Sequence, residues 1–136
     1  MVDVLSEGKP IEHETLEYIH SHKTGALMSA SCEIGGLLGG GTPEQVLALR
    51  EYGKEVGFAF QIADDLLNEL STAEALGKAA GSDRARAKAT YPALHGITAS
   101  REAAQSAVDR AFEHLDDVDK PDTLVALARY AVERVH

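Results

Sequence analysis

The sequence has no tryptophan, only three phenylalanines and four tyrosines, and aromatic residues make up 5% of it. Stretches that alternate apolar and polar residues, as half-buried strands do, are missing as well. A single cysteine, Cys32, excludes an internal disulfide framework and fits a reducing compartment. Bases are scarce: 13 lysines and arginines face 22 acids, for a formal net charge of −9. Nucleic acid and anionic membrane both require a basic footprint, so neither is expected as the main partner. A small anion held through a metal or a local basic patch stays compatible with this charge. No long uncharged apolar run is present. The nearest candidate, TGALMSASCEIGGLLGGG, carries Glu33 and consists mostly of small residues. It reads as a closely packing helix, and no membrane span is expected. The first residues, MVDVLSEGK, are acidic and lack the apolar core of a signal peptide, so a cytoplasmic location is expected.

What is present is helix-forming residue content. The chain has 136 residues, 44% of them hydrophobic, enough for one domain with a real core. Alanine, leucine and glutamate are plentiful, which favours helices. The segment up to about Glu7 reads as the end of a helix, broken at EGKP by Pro10. A second helix is expected from Pro10 to about His22, and a third from about Lys23 to Leu38. On the third, Gly25, Ser29, Cys32 and Gly36 form a face that lets a neighbour approach closely. Gly39 to Gly41 end it, Thr42 caps the next helix, and Pro43 takes that helix's first position. This longest helix is expected to run to Leu70. Ser71, with Glu74 three residues on, has the pattern of a capping box opening a new turn. A basic loop follows from Gly77 to Tyr91, then a short helical piece from Pro92 to His95 ended by Gly96. Two amphipathic helices, about Ala99 to Asp116 and Pro121 to Val135, close the chain. The fold class is all-α, an antiparallel helical bundle, with residues 1–136 as one domain.

Within the longest helix, FQIADDLLNEL places two adjacent acids in an apolar run. At 100° per residue, Gln61, Asp64, Asp65 and Asn68 fall on one narrow stripe, at spacing i, i+3, i+4, i+7. Val56, Ala59, Phe60, Ile62, Ala63, Leu66 and Leu67 fill much of the remaining circumference. Two readings are open at this point. The stripe is a solvated face, which Arg50 and Lys54 extend upstream, or it holds a divalent metal. Adjacent carboxylates one turn from another oxygen donor suit Mg²⁺, which prefers hard oxygens and keeps waters for a phosphate partner. Two neighbouring aspartates also repel, a cost that a dication relieves.

The stretch GKAAGSDRARAKATYP reverses the local charge, with Lys78, Arg84, Arg86 and Lys88 against Asp83 alone. It is a solvated loop or an anion site whose lysines meet phosphate oxygens as point charges. Metal-binding acids and phosphate-binding lysines are the two halves of a metal–diphosphate site. HSHKTGA adds a cation at Lys23 and a hydroxyl at Thr24. His20 and His22 point to different sides of a helix, which argues against a zinc pair. Cys32, among small residues, reads as packing and not as a nucleophile.

Taken in order, HKTGAL, GFAFQIADDLLN, LGKAAGSD and KATYPALHG resemble the C-terminal half of the trans-isoprenyl diphosphate synthases, the polyprenyl synthetases, and above all their short-chain farnesyl and geranylgeranyl branch. The resemblance implies an all-helical isoprenoid synthase fold around a deep apolar cavity. It implies that Asp64, Asp65 and Asn68 stand at the second aspartate-rich motif and hold Mg²⁺ on an allylic diphosphate. Lys23, Thr24, Lys78 and Lys88 would meet the substrate, and Gln61 would stand at the family's glutamine, one turn before the acids. The implied reaction is prenyl transfer from the allylic diphosphate to isopentenyl diphosphate. Phe58 or Phe60 would line the cavity.

Two departures accompany the resemblance. Asn68 stands where the family has a third aspartate, and Ala87 where glycine is common. The first aspartate-rich motif and the isopentenyl diphosphate site have no counterpart in this sequence. The chain is then a fragment, or one part of a site completed by another polypeptide, or a non-catalytic helical subunit or interaction module derived from that fold. A half-bundle leaves apolar helix faces open, so a homo-oligomer or a complementary N-terminal half is expected as partner.

Overall fold

The computed structural model describes residues 24–76 and 90–134. Among these the structure is helical, with no strand: α1 (Ala26–Leu38), α2 (Pro43–Leu76), α3 (Tyr91–His95), α4 (Ile97–Glu113) and α5 (Asp122–Glu133). The two expected helices before residue 23 and the basic loop lie outside the described residues.

The turn between α1 and α2 follows from its three glycines. Gly40 has φ +73°, Gly41 N–H donates to Gly36 C=O at 2.9 Å, and Gly40 N–H to Leu37 C=O at 3.2 Å. This six-to-one and five-to-two pair of bonds satisfies carbonyls the helix end would otherwise leave orphaned. Thr42 then starts α2. Its Oγ1 accepts from Gln45 N–H at 3.3 Å, while Gln45 Oε1 accepts from Thr42 N–H at 3.0 Å, a reciprocal cap. Gln45 Nε2 also donates to Asp117 C=O at 3.0 Å, tying the start of α2 to the α4–α5 connection.

The small-residue face of α1 does what its composition predicts. A Cβ at Gly57 would lie 2.5 Å from Gly25 Cα, and one at Gly53 would lie 2.7 Å from Met28 O and Ser29 Cα. Gly36 meets Val46 and Leu49. Residue numbers on α1 fall as those on α2 rise, so the helices are antiparallel and nearly touch backbone to backbone. Ser29 Oγ, buried in this seam, donates to Arg50 C=O at 3.0 Å. Cys32 packs against the core, and burial raises its thiol pKa, in keeping with a packing role.

The core lies on a neighbouring face of α2, and Met28 and Cys32 of α1 reach its edge. Tyr52, Val56, Ala59, Ile62, Ala63 and Leu66 are buried against Ala104, Ala107, Val108, Ala111 and Leu115 of α4 and its end, and against Ala128, Ala131 and Val132 of α5. The alanine rows let the helices pack closely, and the larger Ile62, Leu66 and Val108 fill the space between them. Glu55 with Arg110 and Gln45 with Asp117 show α4 running antiparallel to α2. Tyr52 with Leu124 and Phe60 with Arg134 show α5 running alongside α2 in the same direction.

One sequence expectation fails. Ser71 does not cap a new turn, because α2 continues unbroken to Leu76. A cap residue must leave helical φ/ψ, and STAEAL offers no glycine or proline to force that. Its alanines, glutamate and leucine propagate the helix instead.

Candidate functional site

The face of α2 between the α1 seam and the core carries the acidic stripe. Ile62, Ala63 and Leu66 have no solvent exposure. Gln61, Asp64 and Asp65 between them are half-buried, and Asn68 is exposed. The acids therefore sit on the rim of an apolar helix and not on a broad solvated face.

Each stripe residue engages a distinct neighbour. Thr24, just before α1, donates its hydroxyl to Gln61 Oε1. This joins two residues singled out from the sequence, 37 positions apart. The close approach of Gly25 to Gly57, one turn before Gln61, is what brings Thr24 within reach. Asn68 Nδ2 stands 3.5 Å from Asp64 Oδ2, the outer limit for a hydrogen bond. An aspartate at position 68 would instead set a second negative charge one turn from Asp64. Asp65 Oδ2 accepts from Tyr91 N–H at 3.0 Å, and Tyr91 is buried. The Tyr91 ring meets Phe58 edge-on at 6.0 Å and lies 4.6 Å from the His95 ring.

Upstream, the cations of the stripe have acidic neighbours: Lys54 Nζ lies 2.6 Å from Glu51, and Arg50 Nε 3.9 Å from Glu33. Among the described residues no three His, Cys, Asp or Glu side chains form a closed metal cage. The oxygen donors of this rim do fit Mg²⁺. They are hard oxygens at a half-exposed rim, and Mg²⁺ binds through one or two carboxylates together with substrate phosphates.

Of the residues expected at a site, Gln61, Asp64, Asp65 and Asn68 share one stripe in the second half of α2, and Thr24 reaches that stripe through Gln61. Lys23, Lys78 and Lys88 lie outside the described residues. Phe58 packs on Tyr91, and Phe60 carries the Arg134 guanidinium 4.7 Å from its ring centroid. Tyr91 was not foreseen as a site neighbour. The available signal was Thr90 before Tyr91–Pro92, a cap followed by a helix-starting proline.

Residues 1–127 match the Polyprenyl synthetase family, and the chain belongs to it. It is 41% identical over 139 residues to a geranylgeranyl pyrophosphate synthase of Arabidopsis thaliana, covering 98% of this chain and 37% of the relative. It is 45% identical over 127 residues to the dimethylallyltranstransferase of Fischerella ambigua, covering 93% of this chain and 37% of that protein. The fold matches the crystal structure of an FPP/GFPP synthase from Zymomonas mobilis with a TM-score of 0.76 at 32% identity, over 96% of this chain and 43% of that one. The chain thus spans well under half the length of these relatives. Other similar relatives carry mitochondrial or chloroplastic designations, so the compartment varies among them. No helix among the described residues is long and apolar enough to cross a membrane.

Proposed function

We propose that this chain supplies the second aspartate-rich half of an isoprenyl diphosphate synthase, a prenyltransferase that joins an allylic diphosphate to isopentenyl diphosphate. The observation that carries the reading is the Thr24–Gln61 hydrogen bond one turn before Asp64 on the same stripe of α2. Thr24 and Gln61 hold each other and offer polar contacts to a substrate. The rim would hold Mg²⁺ through Asp64, with Asn68 beside it, and the ion would supply positive charge that offsets the diphosphate. Lys23, Lys78 and Lys88 are assigned to the same anion as ammonium donors.

In the reaction the allylic carbon–oxygen bond breaks and diphosphate leaves with the electron pair. The isopentenyl double bond attacks that carbon, and a proton is lost from the adduct. The chain's own part is to bind and orient the diphosphate and to keep water from the reacting carbon with the apolar wall beneath the acids. Phe58, edge-on to Tyr91 on the Asp65 side of α2, belongs to that wall.

Leu27, Ile34 and Leu37 form an exposed apolar stripe on α1, 54–69% exposed, which a second copy or a complementary N-terminal half would cover. Asn68, one charge short of the family pattern, favours a second reading as a non-catalytic helical subunit. Mixing the chain with the N-terminal half of a geranylgeranyl synthase and assaying allylic condensation tests the first reading. Restored turnover that is lost in Asp64→Ala supports it. Turnover unchanged by that substitution rejects the metal role.

A further inference from the structure

We infer that the two neighbouring acids have different tasks: Asp65 is a positioning residue that fastens the start of α3 to α2, leaving Asp64 as the acid presented to the metal. The inference rests on the metal–diphosphate reading for Asp64, but not for Asp65.

The first turn of α3 shows why an anchor is needed. Pro92 has no N–H. Ala93 N–H is taken by Thr90 Oγ1 at 3.3 Å, and Leu94 N–H by Thr90 C=O at 3.2 Å. Tyr91 is only 8% exposed, so its N–H needs an acceptor inside the protein, and Asp65 Oδ2 provides one at 3.0 Å. Phe58 lies two turns before Asp65 on the same side of α2 and receives the Tyr91 ring. A ring contact and a charge-assisted hydrogen bond thus dock α3 at two points.

Neighbouring helix positions diverge by about 100°, so Asp64 does not share this direction. Its Oδ2 lies beside Asn68, on the other part of the stripe. The Tyr91 N–H holds the Asp65 carboxylate toward α3, so an ion shared by both acids would have to bridge directions about 100° apart. The pair therefore divides the work between metal and backbone.

Amide exchange at Tyr91, with Val108 in the core as internal reference, gives the test, together with Mn²⁺ binding in the presence of inorganic pyrophosphate. Asp65→Ala should speed Tyr91 exchange about tenfold relative to Val108, the loss of one hydrogen bond. Asp65→Asn, whose carbonyl still accepts, should rescue Tyr91 protection and retain Mn²⁺ binding. Asp64→Asn should weaken Mn²⁺ binding and leave Tyr91 exchange unchanged. If Asp65→Ala unfolds the whole chain, Asp65→Glu replaces it. Its longer arm shifts the acceptor, so Tyr91 exchange alone should rise. Unchanged Tyr91 exchange in Asp65→Ala or Asp65→Glu, or loss of Mn²⁺ binding in Asp65→Asn equal to that in Asp64→Asn, overturns the inference. Failure of the unaltered protein to bind Mn²⁺ with pyrophosphate would instead sink the metal–diphosphate reading, and Tyr91 exchange would still decide the role of Asp65.

Discussion

Gly57 of α2 faces Gly25 so closely that a Cβ placed on it would lie 2.5 Å from the Gly25 Cα. The obstacle is backbone, which cannot rotate aside. Gly57→Ala should therefore force α1 and α2 apart and cost about 1–3 kcal/mol, despite the better helix propensity of alanine. Urea unfolding measures the loss, and the Thr24–Gln61 bond should weaken with it. Gly35, whose Cβ would meet nothing, is the control and should tolerate alanine.

Tyr52 is 2% exposed and donates its hydroxyl to Leu124 C=O at 2.7 Å, joining α2 to α5. Burial, with a smaller effect from Cys32, pushes its pKa from the ordinary 10.0 up to about 12. The folded state thus holds the proton more tightly than the unfolded chain. The associated stability is fully present below about pH 10 and is lost as pH rises through about 12. Tyr52→Phe should cost about 1 kcal/mol at neutral pH by removing the hydroxyl's bond to the Leu124 carbonyl. The fall in stability between these two pH values should shrink in the variant.

Arg110 donates from Nε and Nη2 to Glu55 Oε2, at 3.0 and 2.7 Å, linking α4 to α2. That bond raises the Arg110 pKa further. The pair is well formed but partly exposed, at 44% and 24%. Glu55→Gln should cost no more than about 1 kcal/mol, with the difference narrowing in high salt. A larger loss would mean that the solvent screens this edge of the core less than the exposure implies.

The polar stripe on α2 was legible because helical periodicity is local: Gln61, Asp64, Asp65 and Asn68 need only 3.6 residues per turn to share a face. The small-residue face of α1 was legible for the same reason, though Gly53 and Gly57, its counterparts on α2, were not singled out. Long-range pairings were not legible. The Asp65–Tyr91 bond spans 26 positions and depends on how α3 docks, which no spacing rule reports. Ser71 misled because a capping box is a local pattern, and a helix interior can hold the same residues when nothing breaks it.

The α1 stripe yields a prediction on association. Leu27, Ile34 and Leu37 lie 69%, 54% and 61% exposed. Replacing Leu27 and Ile34 with glutamine should lower the average mass in analytical ultracentrifugation, or abolish complementation by an N-terminal half, with little loss of helix signal. Unchanged mass together with full complementation would remove this face from the interface.

Titration calorimetry with Mg²⁺ and inorganic pyrophosphate, on the unaltered chain and on Asp64→Ala, tests the central claim most directly. Saturable pyrophosphate binding that requires Mg²⁺ and disappears in Asp64→Ala is the predicted result. Absence of binding at millimolar ligand, or equal binding by the variant, would contradict the assignment of α2's acidic rim as a metal–diphosphate site.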